Sequence, residues 1–229
     1  MAESQVPRRR ERGAALLELA MVALPLMTIV LGIIEVGGAW KDKSSAVQAS
    51  RQGARVVTSS SVANPDNGIY LADQQALLAV LAGLPNGVNS GGAIPVVRKV
   101  IIFDASITDA ELDQCKDLGE SGVEIHELPR DNNDGLGVGG HCNVYLAGND
   151  PNKNSLDQTE IEDSSNFGGN GGDWDRKFDP DSDRSGTVGS ATEIGVYVEL
   201  FRPYITGLIP GEGMKVSGYT VMQVEPAGL

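Results

Sequence analysis

The chain has 229 residues, with 18 Lys and Arg against 31 Asp and Glu, a formal net charge of −13. That excess repels phosphate backbones, so no nucleic-acid partner is expected; the acidic residues are read as solvating, with cation gathering as the alternative. After about 60 residues are set aside for an N-terminal leader and helix, enough chain remains for one domain of ordinary size.

Residues 1–12 are polar and basic, with Arg8, Arg9, Arg10 and Arg12, and have no apolar periodicity. They read as a leader and not as part of the fold. The stretch RGAALLELAMVALPLMTIVLGIIEVGGAW follows at 12–40, and Leu19 to Ile34 carries no charge. At ~1.5 Å per residue this core covers roughly 24 Å, and extension from Ala14 to Trp40 reaches the ~30 Å of a bilayer core. A single spanning helix over 14–40 is expected, with its arginine-flanked end in the cytoplasm and the rest of the chain outside. Pro25 lacks a backbone donor and predicts a bend within the span. Glu35, Trp40 and Lys41 read as anchors at the outer interface. Glu18 is different, because a carboxylate inside an apolar run costs on the order of 2.5 kcal/mol or more unless it is neutralised or paired. It either snorkels to the headgroups or meets a cation.

Gly13 is followed by Ala14-Ala15-Leu16-Leu17-Glu18, so a cut after Gly13 would leave Glu at the fifth position of a new N-terminus. This resembles the type III signal of type IV pilins and pseudopilins. Together with SRQGARVV at 50–57 and YTVMQVEP at 219–226, it is similar to the TadE-like family of the tight-adherence (Flp, type IVb) pilus machinery. The resemblance implies that a prepilin peptidase cuts between Gly13 and Ala14 on the cytoplasmic side and leaves the helix in the bacterial inner or cytoplasmic membrane. It also implies that Glu18 neutralises the new α-amino group, its own or a neighbour's, during assembly. The expected partners are other pilin and pseudopilin subunits, the prepilin peptidase and the inner-membrane assembly platform. Removing residues 1–13 takes away four Arg and two Glu, leaving 14 minus 29, or −15.

Beyond Trp40, Ala46, Val47, Ala54 and Val57 recur at mostly helical spacing, so the helix is expected to continue over 41–60. Its small residues permit close packing, although Gly53 weakens it by up to about 1 kcal/mol. The run SSSVANPDNG should end it. An exported domain over 61–229 then opens with a helix at 70–83, where Leu71, Leu77, Leu78 and Leu81 form an apolar face and Gly83 offers a C-cap. VVRKVIIFDAS at 96–106 predicts a strand, and Thr108 with Glu111 predicts a capped helical turn over 108–115. PRDNNDGLGVGGH at 129–141 reads as loop, and NVYLAG from Asn143 as a short strand. From Asp150 to Ser190 large apolar residues are too sparse to build a core, so an acidic surface loop is expected. EIGVYVELFR at 193–202 places Ile194, Val196, Val198 and Leu200 on one face, with Tyr197 and Glu199 on the other. Pro203 ends that strand, YITGLIPGEGM follows as an apolar loop, and KVSGYTVMQVEP predicts a final strand. The fold class is α+β. With the pilin resemblance, the architecture is a long N-terminal membrane-spanning helix continuing into an exported domain with a small antiparallel sheet.

Cys115 and Cys142 both fall on the exported side, where an even count favours a disulfide. His141 beside Cys142 leaves a reactive thiol or a metal site as the alternative. No nucleophile, Walker, zinc-protease or dinucleotide motif stands in a fitting context, so no enzyme is expected. Asp179, Asp181 and Asp183 alternate as at the opening of a calcium loop, but Arg184 stands where glycine belongs and Ser190 where a bidentate glutamate belongs. Calcium is the one cofactor this pattern suggests; a solvated acidic loop is the other reading. The rival to the pilus reading is an ordinary exported binding domain, either anchored by an uncleaved helix or freed by signal peptidase after Gly37-Gly38-Ala39.

Overall fold

In the computed structural model, which describes residues 9–63, 68–84, 95–117, 142–146, 161, 175–176, 193–207 and 209–224, the chain opens with one unbroken helix, α1 (Arg9–Ala63, 55 residues). Ala, Leu and Met dominate its first half and lose little freedom on entering a helix. Pro25 lies inside it, and one turn later the Thr28 hydroxyl donates to the Leu24 and Pro25 carbonyls at 3.2 and 2.8 Å. The helix is described as far as Ala63, inside the run SSSVANPDNG expected to stop it and a few residues beyond position 60. There the Thr58 and Ser59 hydroxyls turn back onto the Ala54 and Val56 carbonyls, at 2.9 and 3.0 Å, and so follow the helix instead of competing with it.

α2 (Gly68–Ala82) packs antiparallel against the distal half of α1. A Cβ at Gly53 would lie 2.6 Å from Val80 Cγ2, and one at Gly83 would lie 3.0 Å from the Ala49 Cα, so both glycines mark places where the helices nearly touch. Gly83 also donates to the Ala79 carbonyl at 3.0 Å, closing the end of α2.

Among the described residues five strands follow: β1 (Val96–Asp104), β2 (Cys142–Leu146), β3 (Asp175–Arg176), β4 (Glu193–Pro203) and β5 (Gly213–Gln223). They form one sheet in the order β3-β2-β1-β4-β5, antiparallel throughout. The β1–β4 register shifts between Val97 and Lys99, which places Val97 and Val100 on the same face. That face, with Ile102, Ile194, Val196, Val198 and Leu200, packs on Ala46, Ala49, Ala54, Val57, Ala76, Leu77 and Val80 of the two helices to make the main core. Small residues on α1 and β-branched ones on the sheet let the layers approach closely. Asp73 of α2 is buried against β2, accepting from Asn143 Nδ2 at 2.8 Å and from the Tyr145 hydroxyl.

The opposite face carries Ile101, Phe103, Val144 and Tyr197 beneath α3 (Asp109–Asp117), from which Leu112 and Cys115 descend. The capping box that starts α3 is present: Thr108 N–H donates to Glu111 Oε2 at 2.7 Å, and Glu111 N–H to Thr108 Oγ1 at 3.4 Å. Part of the expected acidic loop belongs to the fold. Ile161 is fully buried in the main core, its carbonyl accepting from Gln74 Nε2 at 2.8 Å, and Asp175–Arg176 forms the edge strand β3. One isoleucine and a two-residue pairing leave no periodicity for a sequence reading to find.

Candidate functional site

Among the described residues the candidate site is arranged along α1, which has two zones. From Ala14 to Ile34 no residue is buried, and Leu16, Leu17, Leu19, Met21, Leu24, Met27, Ile29 and Ile33 are all exposed. This is the one segment among the described residues that is long and apolar enough to cross a membrane. Such a band is tolerated only if something apolar surrounds it. The Gly13–Ala14 peptide bond lies within the first turns of α1, and Glu18 stands exposed one turn beyond Ala14. Gly13, Ala14 and Glu18 are thus together on one continuous helix, with no hydrogen bond or ion pair to Glu18 among the described residues.

Glu35 begins the second zone. It is the first buried residue of α1 among those described, at 1% exposure, although Ile34 and Val36 beside it are exposed. The tip of the β4–β5 hairpin covers it: Ile205 N–H donates to Glu35 Oε1 at 3.0 Å. One turn further on, a Cβ at Gly38 would overlap the Arg202 guanidinium, so the missing side chain is the room in which Arg202 lies. Arg202 Nη1 then pairs with Asp42 Oδ2, both residues being buried. Glu35 Oε2 and Arg202 Nε are buried here without hydrogen-bond partners among the described residues.

The same alignment continues outward. A Cβ at Gly218 of β5 would lie 2.6 Å from the Val47 backbone nitrogen, and the Thr220 and Ser50 hydroxyls meet at 2.8 Å. The contacts of Ile205, Arg202, Gly218 and Thr220 therefore fall in order at residues 35, 38 and 42, 47 and 50 of α1. β4 and β5 lie along the helix, with their connecting loop at the end nearest the bare apolar zone.

The other sequence candidates lie elsewhere. Cys115 and Cys142 form a disulfide that ties α3 to β2 on the far face of the sheet, so neither is a free thiol. Asp179, Asp181 and Asp183 fall outside the described residues, as does His141; among the described residues no three metal-ligating side chains converge. Sequence reading treated Glu35 as an interfacial anchor and gave no role to Asp42 or Arg202. One signal was present: a carboxylate between isoleucine and valine needs a partner, and glycine three residues on leaves space for one.

Residues 13–55 match the family model described as TadE-like protein. No curated protein and no solved structure matches the chain. The matched stretch lies wholly within α1 and includes both zones, from the Gly13–Ala14 bond and Glu18 through Glu35, Gly38 and Asp42 to Gly53. Over residues 13–55, well under half of its length, the chain is similar to the TadE-like family.

Proposed function

We propose that this protein is a minor pilin or pseudopilin of a tight-adherence (Flp, type IVb) pilus system, acting by assembly and not by catalysis. The observation that carries the reading is α1 itself: a TadE-like helix whose first zone is bare and apolar and whose second zone is the spine of an α+β domain. A helix built this way can sit in a bilayer before assembly and pack against other such helices afterwards, its domain staying outside in both states. In this reading the arginine-flanked end is cytoplasmic, and a prepilin peptidase cuts between Gly13 and Ala14. Glu18 then pairs with the α-amino group of Ala14, its own or a neighbour's. Exposure of Glu18 on the bare zone suits it to that contact, since nothing described in its own chain occupies it.

Two measurements test the reading. Intact mass of membrane-extracted protein is expected to show a chain beginning at Ala14; one that still carries residues 1–13, or begins at Trp40, counts against it. Glu18→Gln is expected to be exported and processed at the normal level yet to assemble many-fold less, because breaking such a pair in a low-dielectric setting can cost a few kcal/mol. If Glu18 merely snorkels, removing its charge leaves membrane insertion unchanged or slightly better and piliation intact.

A further inference from the structure

The β4–β5 hairpin ends in apolar residues that the domain core does not use. Ile205 is 50% exposed and Ile209 38% exposed, whereas the aliphatic residues of β4 just before them are buried. An aliphatic pair on a loop tip is unremarkable in water when scattered, but its place along α1 is fixed here by the Ile205–Glu35 hydrogen bond. From Ala14 to Ile34 the helix rises about 30 Å, the thickness of a bilayer's hydrocarbon core. The hairpin tip therefore reaches α1 at the level where the hydrocarbon ends and the headgroups begin. Trp40, 77% exposed, stands slightly further out on another side of the helix, with Lys41 and Lys43 exposed beside it. Tryptophan and lysine at that level are what a membrane surface selects, and two lysines offer anionic headgroups a local attraction that the acidic chain as a whole does not.

We propose that the tip of the β4–β5 hairpin, through Ile205 and Ile209, is a second membrane-contact site that enters the lipid interface on the domain side of the bilayer. The contact rests on the reading that α1 spans the membrane. Glu35 and Asp42 hold the hairpin against the helix, and the two isoleucines meet acyl chains at the headgroup boundary. The domain, already rigid on α1 through the core, is then held to the bilayer at two points, and α1 cannot tilt freely in the membrane.

The test uses the full chain with Trp40 and Trp174 replaced by Phe, carrying a single new tryptophan, in vesicles of phosphatidylcholine and phosphatidylglycerol with and without brominated acyl chains. Ile29→Trp reports on the span, Ile205→Trp and Ile209→Trp on the hairpin, and Val221→Trp on exposed β5 far from the tip. The expected result is quenching by brominated lipid and blue-shifted emission for Ile29→Trp, Ile205→Trp and Ile209→Trp, with neither for Val221→Trp. If the hairpin variants instead resemble Val221→Trp and are quenched by aqueous acrylamide, the tip is in water and the proposal fails while the span stands. If they resist both quenchers, protein covers the tip, a second copy being the nearest occupant, and the lipid contact is likewise overturned. If Ile29→Trp itself escapes brominated lipid, α1 does not span, and both readings fall together. Ile205 and Ile209 are exposed, so neither substitution disturbs the core; an unchanged circular dichroism spectrum confirms that each variant is folded.

Discussion

Glu35 and Ile205 lie 170 residues apart and meet through a single hydrogen bond, donated by the Ile205 amide to Glu35 Oε1 at 3.0 Å. The carboxylate replaces a water or backbone partner at the point where the hairpin touches the helix, and its second oxygen is buried without a partner among the described residues. Glu35→Ala is expected to leave the Ile205 amide without its acceptor, a loss of about 1.5–3 kcal/mol for a part-buried hydrogen bond to a charged group. Glu35→Gln keeps the accepting oxygen and is expected to keep the hairpin in place. Amide hydrogen exchange at Ile205 reads the difference: about tenfold or more faster in Glu35→Ala, near wild type in Glu35→Gln. Equal protection in all three would mean that the bond does not hold the hairpin.

The buried Arg202–Asp42 pair makes a sharper demand. Arg202→Met removes the only cation facing Asp42 in the described structure and leaves a carboxylate in a dry site. A cost of about 3–5 kcal/mol is expected. The double variant Arg202→Met, Asp42→Leu is expected to recover most of that loss, since replacing both members of a buried pair with apolar residues is often neutral. Thermal unfolding of the full chain in detergent compares them; a single variant as stable as the double would show that the pair contributes little.

Gly37 and Gly38 are neighbours with opposite surroundings. No atom outside the local helix lies within 4 Å of a Cβ at Gly37, whereas one at Gly38 overlaps Arg202. Gly37→Ala is expected to raise stability by up to about 1 kcal/mol through helix propensity. Gly38→Val is expected to destabilise by about 1–3 kcal/mol, as overpacking does, by pushing Arg202 off Asp42. If both behave alike in the same melts, the space at Gly38 is not what seats Arg202.

The Cys115–Cys142 disulfide closes a loop with a sequence separation of 27. Loop entropy gives it about 3.5 kcal/mol of stabilisation. Paired serine substitution, Cys115→Ser with Cys142→Ser, is expected to lower the melting temperature of the α+β domain and to free α3 before the sheet. Melting that is identical with and without the bond would place its role outside folding stability.

The elements that sequence reading located are those whose cause is local. Ile194, Val196, Val198 and Leu200 alternate within one strand, and the box of Thr108 and Glu111 is written in four consecutive residues, so α3 and β4 stand where periodicity and capping put them. α1 ends at Ala63, within the run expected to stop it and three residues beyond position 60, because serine and threonine can bond to the preceding turn as readily as they break it. The junction was illegible for a different reason. Asp42 acquires its meaning from Arg202, 160 residues later, and nothing near either residue says which partner it will take. Glu35 came closest to being readable, since its neighbours made its charge expensive, yet the group that satisfies it is a backbone amide, which no sequence pattern marks.

An unbroken α1 also sets a rotational phase between its two zones. At about 100° per residue, the 17 residues from Glu18 to Glu35 leave the two carboxylates roughly a quarter-turn apart around the axis. The domain side of the helix is therefore not the side on which Glu18 stands, and a neighbouring helix can approach Glu18 from the flank without displacing the sheet. Inserting a single residue between Ile34 and Glu35 would lift the sheet by only about 1.5 Å but turn it by about 100° relative to the span. Angular register, far more than length, is what this helix transmits from one end to the other.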